Sequence, residues 1–181
     1  QKAGDEVWAY VCCGPGRPYA NLFIDFPGVD PRILPWQYYQ KGITGFLYYL
    51  INLYDGQENW NTEEPKWPDR PWNPYSFKTN SDGILMYPGP NRMPLASTRM
   101  ENLRDGIEDY EALAMLEEIA RRATEEGNLQ DYAERARAGL AVREEVTASW
   151  TDYTQDPEVI VRARREVDAL IEEGMQLTGA L

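Results

Sequence analysis

The 181-residue sequence has no histidine. That absence removes Ser-His-Asp and Cys-His catalysis, together with the commonest transition-metal ligand. Carboxylates and tyrosines are left for any acid–base chemistry. Cysteine is scarce, at two residues, the adjacent Cys12 and Cys13. Two adjacent thiols without histidine cannot close a four-ligand zinc site, so neither a metal nor a cofactor is expected. Basic charge is in deficit, with 18 Lys and Arg against 30 Asp and Glu and a net charge of -12. Phosphate backbones repel such a chain, which argues against a nucleic-acid partner, and a well-solvated surface is the plain reading of the acidity. No apolar run reaches the roughly 18 residues of a membrane span. The start, "QKAGDEVWAY", has neither an initiator Met nor a signal-peptide apolar region. It reads as the middle of a longer polypeptide or a processed product.

What is present falls into two halves of different kind. Aromatic residues reach 12%, with six Trp and twelve Tyr, and the thirteen prolines crowd the first hundred residues, with Pro157 apart. The second half is rich in Ala, Glu and Arg. Apolar residues at 43% and charged residues at 27% are an ordinary globular balance.

The pattern along the chain predicts β-α-β-loop-β-α-α-α. "VWAYVCC" alternates as a strand, with Val7, Ala9, Val11 and Cys13 on one face and Trp8, Tyr10 and Cys12 on the other. "GPGRP" is a turn by composition. "DPRILPWQYYQKG" predicts a short helix with Asp30 as N-cap and Pro31 at the first helical position, and Pro35 delays or kinks it. "GFLYYLINLY", Gly45 to Tyr54, is the strongest strand signal, and "GILMYPG", Gly83 to Gly89, is a third. Between them lies a long loop carrying Trp60, Trp67, Trp72, Tyr75 and Phe77. From Ser97 the period becomes helical, with Thr98 and Glu101 as a capping box and Leu103, Ile107, Tyr110, Leu113, Leu116 and Ala120 on one stripe. Gly127 punctuates, a second helix is predicted from about Leu129 to Val146, and "DPE" at 156–158 caps a third. Strands alternating with helices imply a parallel sheet with right-handed crossovers. Three strands alone leave exposed edges, so the sheet is completed by residues outside this chain or covered by another chain.

In an extended strand adjacent side chains point to opposite faces, so Cys12 and Cys13 would diverge. Two small buried thiols are expected, protected from native alkylation. A vicinal disulfide, which needs a distorted backbone, is the first alternative, and a reactive pair is the second. The aromatics carry the functional signal. In parallel α/β folds sites lie beyond the carboxyl ends of strands, where a polar residue such as Asn52 on an apolar strand is informative. Aromatic faces stack on the apolar faces of sugar rings, and Asn, Tyr and Trp donors reach hydroxyls. Each such aromatic could equally fill a core. As a set, Trp8, Tyr10, Asn52, Tyr54, Trp60 and Tyr87 are candidate walls of a carbohydrate site. Of the carboxylates, most belong to solvated helix faces, and Arg99, Arg104, Asp105, Glu108 and Asp109 are expected to form a structural ion-pair network.

"EVWAYVCCGPGRPYANLFID", "PRILPWQYYQKGITGFLYYLINLY", "DGILMYPG" and "STRMENLRDGIEDYEAL", followed by "DYTQDPEVIVRARREVDALIE", resemble, in order, the C-terminal part of the catalytic domain of glycoside hydrolase family 123 and its uncharacterised relatives. The resemblance implies an α/β fold: the last three βα units of a (β/α)8 TIM-type barrel over residues 1–126, with a helical extension packed on it over 127–181. It implies hydrolysis of β-linked N-acetylgalactosamine with retention, through substrate assistance by the sugar's own 2-acetamido group. An adjacent Asp-Glu pair serves that chemistry in the family, Asp orienting the acetamido group and Glu acting as general acid/base. The sole Asp-Glu dipeptide here, Asp5-Glu6, precedes the first strand, on the stability face of a barrel. No catalytic residue is therefore assigned to this chain, and the pair is expected upstream. Thr44 stands where many relatives have Asp, and Tyr49 and Tyr54 where they often have Trp, which bears on the sugar bound. The expected partners are a carbohydrate and the remainder of the barrel or another chain. A non-catalytic carbohydrate-binding or assembly module derived from the barrel is the rival. Polysaccharide-degrading relatives point to an extracytoplasmic location.

Overall fold

Four helices and several very short sheets make up the described part of the chain. The structure is a computed structural model and describes residues 4–53, 75–76, 79–89, 93–127 and 129–179. The elements are β1 (Trp8–Val11), α1 (Asp30–Gln40), β2 (Gly45–Tyr48), β3 (Tyr75–Ser76), β4 (Thr79–Asn80), β5 (Met86–Pro88), β6 (Pro94–Ala96), α2 (Thr98–Glu126), α3 (Gln130–Leu140) and α4 (Pro157–Thr178). The fold is mixed α/β, as the sequence implies.

β1 and β2 pair in parallel, with Trp8 opposite Gly45 and Val11 opposite Tyr48, and α1 is the crossover between them. The third strand differs from expectation. β5 pairs antiparallel with β6 in a hairpin, Met86 facing Ala96, and does not extend the parallel pair. It is tied instead to the chain after β2: the Leu85 and Met86 N–H groups both donate to the Ile51 carbonyl, at 2.9 and 2.8 Å. The predicted strand Gly45 to Tyr54 is correspondingly cut at Tyr48. Asn52 forms an isolated antiparallel bridge with Ile84, past the end of β2.

Helix ends also moved. Val29, not Asp30, is the N-cap of α1, and Asp30 is already helical. The reason is that the Asp30 carboxylate is turned inward, where it accepts from the Asn21 N–H at 3.3 Å and the Tyr153 hydroxyl at 3.0 Å. Pro35 remains inside α1 without ending it. α2 is capped by Ser97, whose hydroxyl accepts from Met100 N–H at 3.2 Å, one residue before the predicted Thr98. Gly127 closes α2 in the left-handed conformation at φ 75°. α3 stops at Leu140, short of the predicted Val146, and α4 is capped by Asp156 as expected.

One core runs through the helices. Leu34 and Trp36 of α1, Leu113 and Leu116 of α2, Ala133 of α3 and Ile160 and Val167 of α4 belong to it. α1 and α2 cross closest at Gly106, where an added Cβ would lie 2.8 Å from the Arg32 carbonyl oxygen and 3.0 Å from Pro35 Cγ. Backbone cannot yield as a flexible side chain would. Gly106→Ala is expected to destabilise the protein by about 1–3 kcal/mol through overpacking, read as a lower urea midpoint at unchanged slope.

The expected five-residue ion-pair network is split into three. Arg104 pairs with Glu101, Asp105 and Glu108 on the surface. Asp109 is buried at the junction of α1, α2 and α4 with Arg32 and Arg164. Arg99 is buried elsewhere, beneath the strand ends. A helix distributes residues i, i+5 and i+10 over different faces, which is why one sequence cluster becomes three.

Candidate functional site

The parallel pair has two unlike faces. Ala9, Phe46 and Tyr48 pack against the core of the helices, together with buried Val11. On the opposite face Trp8 and Tyr10 are 63% and 48% exposed. Gly45, opposite Trp8, leaves room for the indole: a Cβ there would lie 2.4 Å from Trp8 Cδ2. Two of the six sequence candidates are thus brought side by side on one exposed aromatic face.

The remaining candidates are placed differently. Tyr87 is half-buried and its hydroxyl accepts from Arg99 Nη2 at 3.3 Å. Asn52 is exposed in its bridge to Ile84. Tyr54 and Trp60 lie outside the described residues. Asp5 and Glu6 are exposed ahead of β1.

Sequence reasoning missed a buried polar cluster next to the strand ends. The turn Ser81-Asp82-Gly83 is wholly buried. Ser81 and Gly83 both have positive φ, at 67° and 73°, and Ser81 is a residue for which that conformation is uncommon. Held-in backbone strain of this kind concentrates at functional sites. The Tyr48 hydroxyl accepts from the Gly83 N–H at 2.9 Å and faces Asp82 Oδ1 at 3.5 Å. Burial raises the Asp82 pKa against the opposing bonds from Tyr48 and Gly83, and pushes that of Tyr48 up to about 12. Arg99 lies below, donating to the carbonyls of Leu22 and Ile84 at 2.5 Å each. "SDG" carried a turn signal, but nothing in it announced burial, and Arg99 read as one more charged residue at a helix start.

The cysteines depart from the expected buried, divergent pair. The strand ends at Val11, and a bend at Cys12 and Cys13 breaks the alternation. Their sulfurs approach to 3.6 Å, both are free, Cys12 is half-buried and Cys13 exposed. Alkylation of Cys13 in the native protein is therefore the revised expectation. Hydrogen bonding to Cys12, then its charge, pushes the Cys13 thiol up. Partial burial, then the bond with Cys12, raises the Tyr10 hydroxyl.

Asn21 fixes this loop. Its Nδ2 donates to the carbonyls of Cys12 and Pro15 at 3.1 and 2.9 Å, and its Oδ1 accepts from Leu22 N–H at 2.7 Å. Asp30 anchors the loop from below through the Asn21 N–H and Arg17. Desolvation lifts the Asp30 pKa to about 6, outweighing the Tyr153, Asn21 and Arg17 contacts. The folded state thus holds the proton more tightly than the unfolded chain, whose ordinary value is 3.8. The contribution of Asp30 to stability is full below pH 4 and lost as pH rises through 6. Asp30→Asn is expected to remove that downward slope, read as the wild-type minus variant difference in unfolding free energy from pH 4 to 7.

Among the described residues no group of three or more His, Cys, Asp or Glu is placed to hold a metal ion. Among the same described residues, no helix is long and apolar enough to cross a membrane.

Comparison with known proteins decides the lineage. The family model for the glycoside hydrolase 123 catalytic domain matches residues 1–116 of the 181. The chain belongs to the glycoside hydrolase 123 family. None of the curated proteins matches it. Membership makes its function glycoside-hydrolase-related, and the substrate class of such an enzyme is carbohydrate. The matched stretch includes the aromatic face, the Cys12-Cys13 bend and the buried turn at Asp82, and it ends within α2.

Proposed function

We propose that this chain is the substrate-binding part of a family 123 glycoside hydrolase acting on β-linked N-acetylhexosamine, in the first place N-acetylgalactosamine. The reaction is retaining and assisted by the substrate's acetamido group, one of the recognised exceptions to a two-carboxylate scheme. The Asp-Glu pair that performs it lies upstream. Residues 1–126 belong to a (β/α)8 barrel, and 127–181 are a helical extension packed on it.

One observation carries the reading: Trp8 and Tyr10 stand exposed on one face of a parallel strand pair whose other face packs on helices. In a barrel that face turns to the interior and its carboxyl end to substrate. Trp8, Tyr10, Asn52, Tyr54, Trp60 and Tyr87 form the walls. A cavity of about 310 Å³ beside β1, lined by Ala9, Tyr19, Tyr38 and Trp150 among others, suits a preceding helix of the barrel. The Tyr38 hydroxyl is buried and has no hydrogen-bond partner among the described residues.

Calorimetric titration with N-acetylgalactosamine tests this. The chain is expected to bind the sugar and to leave aryl N-acetyl-β-galactosaminide uncleaved. Trp8→Ala is expected to weaken binding by about 2- to 10-fold, the loss of one stacked ring worth about 0.5–1.5 kcal/mol. Turnover by this chain alone would overturn the division of labour. The alternative, a non-catalytic binding or assembly module, draws on the open edges of the β1–β2 pair among the described residues. It requires that the protein with its upstream region also fails to cleave the glycoside.

A further inference from the structure

Nothing in the sugar-binding reading uses the thiols, yet the backbone is built to bring them together. An unbroken strand would send Cys12 and Cys13 to opposite faces. Here the strand stops at Val11, the Cys12 N–H donates to the Gly14 carbonyl at 2.9 Å, and the two sulfurs come to 3.6 Å. Asn21, fully buried, holds the carbonyls of Cys12 and Pro15, one on each side of Cys13. The bend is thus anchored from the protein interior. Space is open around the following Gly14 and Gly16, where an added Cβ would meet nothing within 4 Å. Cys13 is exposed, so a small reagent reaches it from solvent.

We propose that Cys12-Cys13 is a redox modification site that closes to a vicinal disulfide by exchange with a low-molecular-weight disulfide. The exposed Cys13 thiolate attacks one sulfur of the small disulfide and expels one small thiolate, giving a mixed disulfide. Cys12, as thiolate, then attacks Cys13 Sγ and expels the second. The two protein thiols lose two electrons and two protons, and the small disulfide leaves as two thiols. The proximity of Cys12 makes the second step intramolecular and fast relative to capture by another molecule. Adjacent Cα atoms are about 3.8 Å apart across a trans peptide, short of the roughly 4.4–6.8 Å of ordinary disulfides. The bond is therefore strained and readily reduced, which is the character of a labile site and not of a structural staple.

The test incubates the purified protein with oxidised glutathione under native conditions, quenches with N-ethylmaleimide and reads intact mass and peptide maps. The expected result is loss of two hydrogens, no glutathione adduct and no alkylation at 12 or 13, all reversed by dithiothreitol. Cys12→Ser is expected instead to retain one glutathione at Cys13, because the resolving thiol is gone. A wild-type protein that accumulates stable glutathione adducts, or is alkylated at both cysteines after the same treatment, would overturn the proposal. The readout needs no sugar. Failure to close refutes this site and leaves the carbohydrate reading standing, whereas a protein that closes but binds no sugar refutes the carbohydrate reading alone.

Discussion

Asp109→Ala is expected to lower the unfolding free energy by about 3–5 kcal/mol, the cost of leaving buried charge without its partner. Asp109 is 1% exposed and accepts four hydrogen bonds from three helical residues. Arg32 supplies two, at 2.7 and 3.0 Å, Trp36 Nε1 one at 2.9 Å, and Arg164 one at 3.0 Å. Arg32 and Trp36 come from α1, Arg164 from α4, so one carboxylate on α2 fastens all three helices. Alanine would leave two guanidinium groups facing each other and an indole N–H without an acceptor. Both arginines keep some contact with water, at 21% and 27% side-chain exposure, which places the loss toward the lower end. Chemical denaturation reads the change as a shifted midpoint at constant slope. A loss below 1 kcal/mol would show that the knot contributes specificity and not stability. The exposed cluster of Glu118 with Arg121 and Arg122 makes the contrast. Those arginines hold the Glu118 carboxyl down at about 2, yet solvent screens the pair, and Glu118→Ala is expected to change stability little.

The same residues show what could be read without a structure. Helix ends at Gly127 and Asp156 followed from local chemistry, and face assignments from period, a rule that one element packed on one core obeys locally. Trp8 and Tyr10 were placed on one face for the same reason. What failed depended on contacts distant in sequence. Asp30 reads as an N-cap until Tyr153, 123 residues away, claims its carboxylate. "GILMYPG" reads as a barrel strand until "PLA" pairs with it antiparallel. Cys12 and Cys13 read as divergent only while the strand is assumed to continue through them. The buried turn at Asp82 was hidden most deeply. A polar Ser-Asp-Gly triplet is the signature of an exposed turn, and its burial depends on Tyr48 and on the chain after β2.

Arg99→Met is expected to cost about 2–4 kcal/mol and to weaken sugar binding at the same time. Hydrogen bonds to a charged donor are worth about 1.5–3 kcal/mol each, and Arg99 makes several from a buried position. Its Nη1 serves the Leu22 carbonyl, and its Nη2 serves the Ile84 carbonyl and the Tyr87 hydroxyl. Those acceptors lie in three separate stretches: the segment leading to α1, the turn after Asp82, and β5. A planar fork with five donors reaches them from one point, whereas a lysine ammonium of similar length cannot. Methionine restores volume but no donor, so the carbonyls stay buried and unsatisfied. The Arg99 charge also holds down the pKa of Tyr48, against the raising effect of burial. Its removal therefore raises the Tyr48 pKa further and loosens the turn bearing Asp82. Thermal unfolding and titration with N-acetylgalactosamine separate the two effects. Arg99→Lys is expected to recover part of the stability and less of the binding, because charge returns without the fork. If Lys restored both fully, the charge alone would matter, and the geometric role given to the guanidinium would be wrong.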